Sequence, residues 1–187
     1  ISKECEVIKE SKLPIDQAHN GLLILSDGTI VTKDLRLEGQ GCSTITRLDQ
    51  NLDVLHEPMQ LPEGSMGRIA SDKTEDGEFI FIPGIEKIWK IKVLPNNLEV
   101  TSDWSPNYRK SNDDQGLSWD GCISDGSLWL MNNGDIDSLR AIYSTHPNGR
   151  FKTAPKELSW RRPAPWSCKQ RLYRFDLMSE QFEYIEP

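Results

Sequence analysis

The sequence predicts an all-β chain, a β-propeller of about three four-stranded blades plus one orphan outer strand. Two observations point to this fold. Asp-Gly pairs recur at Asp27-Gly28, Asp76-Gly77 and Asp125-Gly126, 49 residues apart in each case, and short apolar runs flank every pair. No sustained apolar stripe of helical period is present, and 13 Gly and 11 Pro punctuate the 187 residues, a pattern that argues against helices. A four-stranded unit returning about every 45–50 residues is what a propeller blade produces.

Taken in order, Cys5-Glu6-Val7-Ile8 reads as an outer strand standing alone within 1–15. Blade one (16–62) opens with Gly21–Leu25, turns at Asp27-Gly28 and returns through Thr29–Thr32. Asp-Gly between two apolar runs favours a hairpin because Gly accepts a positive φ without a Cβ clash. The third strand, Thr44–Asp49, alternates apolar residues around a basic one, the period-2 pattern of a half-buried strand. Leu52–Leu55 is the expected fourth strand.

Blade two (63–112) repeats the scheme with Gly67–Ala70, Glu78–Ile82, Lys87–Lys92 and Leu98–Thr101. Blade three (113–187) does so with Gly116–Trp119, Ser127–Met131, Arg171–Asp176 and Phe182–Ile185. A basic insertion at about 134–170 separates its second and third strands. Propellers close with typically four to eight blades. Three blades therefore imply either a piece of a longer chain or two copies that pair to complete a six-bladed ring.

Composition narrows the function classes. The formal charge is −7, which disfavours nucleic acid as a partner because phosphate contacts need clustered Lys and Arg. No apolar run approaches the roughly 18 residues needed to cross a bilayer, and Ile1–Glu6 has neither the basic nor the apolar part of a signal peptide. Cys5, Cys42, Cys122 and Cys168 include no C-x-x-C pair, so zinc and redox motifs have no basis and four separate small buried residues are expected. The G-x-S-x-G, H-E-x-x-H and Gly-Lys-Ser/Thr patterns are all absent, leaving serine hydrolase, zinc protease and P-loop readings unsupported.

Asn20-Gly21-Leu22-Leu23-Ile24-Leu25-Ser26-Asp27-Gly28 resembles a blade start of the six-bladed propeller superfamily of gluconolactonase-type lactonases, calcium-dependent phosphotriesterases and strictosidine-synthase-like proteins. Asp120-Gly121 followed by Ser124–Trp129 resembles a later blade start, two residues short of the usual spacing. The resemblance implies a Ca²⁺ at the inner ends of the blades, with Asn20 and Asp120 matching its ligands and polarising a small ester, lactone or phosphoester. Asp114, just before the third inner strand, adds a carboxylate at the channel mouth, and Ca²⁺ requires several such hard oxygens.

His19 directly precedes Asn20 at the entry to an inner strand. Imidazole titrates near neutral pH, so His19 is the candidate general base. The charge is also segregated. Nine Lys and Arg stand against one acid between Ser138 and Arg174, a local +8 that leaves −15 on the other 150 residues. Arg150, Trp160, Arg161, Arg162 and Trp166 make this arm the candidate ligand- or partner-binding surface. Two functions follow as expectations: calcium-dependent hydrolysis of a small substrate, or a non-catalytic propeller that binds a ligand or protein through the arm.

Overall fold

The computed structural model of the chain describes residues 6–13, 19–34, 36, 41–65, 67–84, 87–105, 116–135 and 171–185, with the backbone alone at 116–120, 131–135, 171 and 184. Twelve strands in this set form three four-stranded antiparallel sheets. Sheet one joins β1 (His19–Ile24), β2 (Ile30–Asp34), β3 (Thr44–Leu48) and β4 (Met59–Gln60). Sheet two joins β5 (Ala70–Thr74), β6 (Gly77–Pro83), β7 (Ile88–Val93) and β8 (Leu98–Trp104). Sheet three joins β9 (Gly116–Ser124), β10 (Ser127–Asp135), β11 (Arg171–Asp176) and β12 (Phe182–Ile185). Each sheet is a meander, every strand pairing with its neighbour in sequence. Among the described residues there is no helix and no sheet that closes on itself.

Sheet two is the middle layer, and β6 shows why. Ile80 and Ile82 point to one side and pack with Leu25, Val31 and Ile45 of the first unit. Phe79 and Phe81 point to the other side and pack with Leu128, Leu130, Tyr173 and Phe175 of sheet three. Successive strand residues face opposite ways, so a strand covered on both faces must be apolar at every position, as Phe79–Ile82 is. Val31, Ile45, Ile80, Ile82 and Ile91 are fully buried, each burial worth roughly 1.5–3 kcal/mol in transfer terms. Trp104, at the end of β8, lies against Phe175 with ring centroids 4.6 Å apart.

The three Asp-Gly pairs all lie at the first hairpin of their sheets, but in different turns. Ile24 pairs with Ile30, enclosing the loop 25–29. Ser124 pairs with Ser127, leaving Asp125 and Gly126 as the two turn residues, both at positive φ (50° and 68°), the arrangement of a type I′ turn. In sheet two Thr74 pairs with Gly77, so Glu75-Asp76 makes the turn. That slip of one residue reverses which face each side chain meets. Three residues beyond the Asp, Leu128 faces the preceding sheet whereas Phe79 faces the following one.

Several strand boundaries differ from expectation. The segment Cys5–Ile8 forms no orphan strand: Glu6–Ile8 are irregular, and Val7 and Ile8 are exposed; Cys5 lies outside the described residues. Leu52–Leu55 is not the fourth strand of sheet one and supplies only the bridge Leu48–Val54. Leu52 has φ 62° in a turn where Asp49 Oδ1 accepts the Asn51 and Asp53 N–H groups at 2.8 Å. Pro58, which has no N–H to give a ladder, then delays pairing to Met59–Gln60. The first strand of sheet two is Ala70–Thr74, not Gly67–Ala70. The cysteines depart from the expected burial, Cys42 being half-buried and Cys122 exposed, while both are separate free thiols as expected.

Candidate functional site

An open cleft of about 490 Å³ wraps the start of β1, lined by His19, Asn20, Gly21, Leu22, Thr32, Arg68 and Ile69. Its walls come from the free edge of sheet one and from the segment entering β5. A bulge shapes it. His19 pairs with Asp34 and Gly21 with Lys33, so Asn20 is the extra residue on β1. Bulges of this kind re-aim side chains, and here both His19 and Asn20 line the cleft although they are adjacent in the strand. Gly21 allows the close approach of the two walls, since a Cβ there would lie 3.0 Å from Ile69 Cγ1.

The His19 ring is half-buried, with Nδ1 3.0 Å from the hydroxyl of buried Thr32. Its Nε2 is buried and has no hydrogen-bond partner. A buried ring nitrogen without a partner, on a residue that lines a cleft of mixed polar and apolar walls, calls for an explanation, and a ligand is one.

Behind Asn20 lies a polar network that sequence reasoning missed. The Lys33 side chain is fully buried. Its Nζ donates to Asn20 Oδ1 at 2.7 Å, to the Asp34 carbonyl at 3.0 Å and to the Ser65 carbonyl at 3.0 Å. Burial pushes the lysine down to about 7, and the neighbouring Asp34 carboxylate acts in the opposite direction. Asp34 is itself fully buried, its carboxylate accepting the Thr44 N–H at 2.6 Å and Arg36 Nε at 2.9 Å. Ser65 completes the floor: its N–H donates to Ser43 Oγ at 2.8 Å and its hydroxyl to the Pro83 carbonyl at 2.7 Å. The sequence did carry a signal. Val31-Thr32-Lys33-Asp34 places two charges where a strand should be entering a core, and buried charges occur only when paired.

The predicted site residues divide accordingly. His19 and Asn20 come together in the cleft. Asp120 is in β9, paired with Met131, and its side chain lies outside the described set. Asp114 and the whole arm bearing Arg150, Trp160, Arg161, Arg162 and Trp166 also lie outside the described residues. Among the described residues no group of three His, Cys, Asp or Glu could hold a metal ion. Asn20 does not fit the part of a calcium ligand, because the oxygen it would offer already accepts from the Lys33 ammonium. A divalent cation there would meet a like charge at close range.

Searched against models of protein families and against curated proteins, the chain matches none of them.

Proposed function

We propose that the chain is a section of a β-propeller, of the six-bladed superfamily that includes gluconolactonase-type proteins, and that it binds a small polar molecule in the cleft at His19. The observation that carries the binding reading is the buried, unpartnered Nε2 of His19 beside that cleft. The blade reading is supported by three successive four-stranded meanders, the middle one covered on both faces. A second copy is the partner we propose for the outward face of sheet one, where Leu22 and Ile24 are each 69% exposed.

The same nitrogen favours a second reading, hydrolysis of a small lactone or ester. With the Nδ1 proton donated to Thr32, Nε2 holds a lone pair, and a turn of the ring that brings this buried nitrogen to the cleft would let it take a proton from an attacking water. This reading needs no calcium at Asn20.

A panel of small carboxylates, δ-lactones and phosphoesters tests both, read by thermal shift and by the His19 imidazole ¹⁵N resonances. At least one class should raise the melting temperature and move the His19 signal, with both effects lost in His19→Phe. Acid release from a δ-lactone, abolished in His19→Gln and insensitive to EDTA, would select the hydrolase. Binding that ignores His19 but is lost in Arg161→Ala or Trp166→Ala would move the function to the basic arm. A panel that leaves the protein unmoved ends the cleft reading.

A further inference from the structure

We propose that Lys33 is the resident cation of the cleft: its ammonium takes the place of a metal ion on Asn20 and fixes that side chain as part of the wall. The geometry carries this. Three oxygens surround Nζ within hydrogen-bond distance, one side-chain amide oxygen and two backbone carbonyls. They are the neutral hard donors a calcium site uses, yet their distances of 2.7–3.0 Å are those of N–H···O bonds and not the 2.3–2.6 Å of calcium coordination. An ammonium has three protons and no acceptor, so three acceptors satisfy it completely. A neutral amine would present a lone pair to one of these oxygens.

The position of the lysine is built by the fold. Lys33 pairs with Gly21 across the β1–β2 ladder, and the missing Cβ of Gly21 leaves that face narrow, with Ile69 closing it from the second unit. The side chain therefore runs inside the interface between sheets one and two, where Val31 and Ile45 are fully buried neighbours in the ladder. Ser65, one of its acceptors, belongs to the connection between those sheets and is held by Ser43 and Pro83. The ammonium thus ties three separately anchored pieces together: the β1 bulge, the end of β2 and the inter-sheet connection. Removing it leaves two buried carbonyls and the part-buried Asn20 amide oxygen facing one another.

Lys33 does not line the cleft, so it is a positioning residue acting through Asn20. It sets which end of the Asn20 amide is engaged, since the oxygen is committed to the protein interior. The inference holds whichever small molecule the cleft takes, and its failure would be distinguishable from failure of the His19 reading.

Two measurements test it. Thermal unfolding is followed with calcium chloride added to the wild type, to Asn20→Ala and to Lys33→Ala. In parallel, Lys33→Ala is titrated with n-propylammonium chloride, using sodium chloride at equal ionic strength as the control. The wild type should show no saturable calcium shift. Lys33→Ala should melt several degrees lower and recover part of that loss with propylammonium but not with sodium. A saturable rise of the wild-type melting temperature with calcium, lost in Asn20→Ala, would overturn the proposal. Should Lys33→Ala fail to fold, Lys33→Met keeps the aliphatic packing, and the Asn20 side-chain amide resonances become the readout. They should shift clearly against the wild type; unshifted resonances would overturn the proposal as surely as calcium binding.

Discussion

Arg47 of β3 reaches out of its own sheet and donates from Nη1 to the Leu94 carbonyl, just beyond β7 of the next sheet, at 2.6 Å. The same guanidinium holds Asp27 through Nη2 at 2.6 Å and Thr29 Oγ1 through Nε at 3.0 Å. One buried side chain therefore ties the first turn of sheet one to the β7–β8 turn. Burial pushes the Asp27 carboxyl up, but hydrogen bonds from Thr29 and the Arg47 charge outweigh it and hold the group below the usual carboxylate range. Arg47→Ala should cost about 2–3 kcal/mol, because several charge-assisted hydrogen bonds are lost at once. Asp27→Ala should cost less, about 1–2 kcal/mol, because its carboxylate is half exposed and screened and Arg47 keeps its bonds to Leu94 and Thr29, though the buried guanidinium loses its counter-charge. Urea denaturation measures both, and equal costs would contradict the assignment of the anchor to Arg47.

That anchor also marks how far the sequence could be read. The basic residue inside each third strand is legible as a period-2 pattern, and Arg174 repeats the local geometry of Arg47, with Nε 3.0 Å from Ser127 Oγ. What the guanidinium does beyond its own strand depends on where the neighbouring turn lies, which no local pattern encodes. The Asp-Gly spacing located all three hairpins, but the slip at Thr74–Gly77 arises from strand pairing and is invisible in a count of residues. At the site, His19 and Asn20 were legible because they precede an apolar strand. Lys33 was legible only as an anomaly, one of two adjacent charges ending an apolar strand; what it does was not, because its partners Asn20 and Ser65 stand 13 and 32 positions away.

The contact between Gly21 and Ile69 predicts a sharp steric effect. A methyl group at position 21 would lie 3.0 Å from Cγ1, 3.3 Å from Cδ1 and 3.4 Å from Cγ2 of Ile69, so no rotation of that branched side chain clears it easily. Gly21→Ala should destabilise by about 1–3 kcal/mol, the usual cost of overpacking. Ile69→Val removes Cδ1 and should cost about 1 kcal/mol alone, yet soften the Gly21→Ala penalty in the double variant. Strict additivity in that cycle would mean the two walls do not meet as described.

Lys33 predicts a pH dependence whose sign is fixed. Its folded-state pKa is lowered to about 7, whereas in the unfolded chain a lysine titrates near 10.4. Below about pH 7 both states carry the proton, and the cost of burying the charge is fully present. Between those two values the folded protein gives up the proton that the unfolded chain keeps, so Lys33 serves as the cation of the cleft up to about pH 7, and above it stability rises with pH, by at most about 1.4 kcal/mol per unit. Lys33→Met lacks this term. Denaturation of both proteins at a series of pH values from about 6 to 9 should give diverging curves. Parallel curves would show that the lysine keeps an ordinary pKa in the fold.

The outward face of sheet one makes the last prediction. Leu22 and Ile24 occupy alternate positions of β1, on the side away from the core shared by Val31 and Ile45, and both are largely exposed. Two neighbouring aliphatic side chains on the free edge of a sheet are an association hazard unless a partner covers them. In the middle layer the corresponding surfaces are both covered, and sheet two shows what coverage looks like: Ile80 and Ile82 on one side, Phe79 and Phe81 on the other. If two copies complete a ring, light scattering should give twice the chain mass of 21.3 kDa. The Leu22→Ser, Ile24→Ser double variant should then shift the protein toward the monomer while leaving the Arg47 anchor in place. A wild type that stays monomeric across a wide concentration range, with the double variant no more soluble, would rule out the second copy as the occupant of this face.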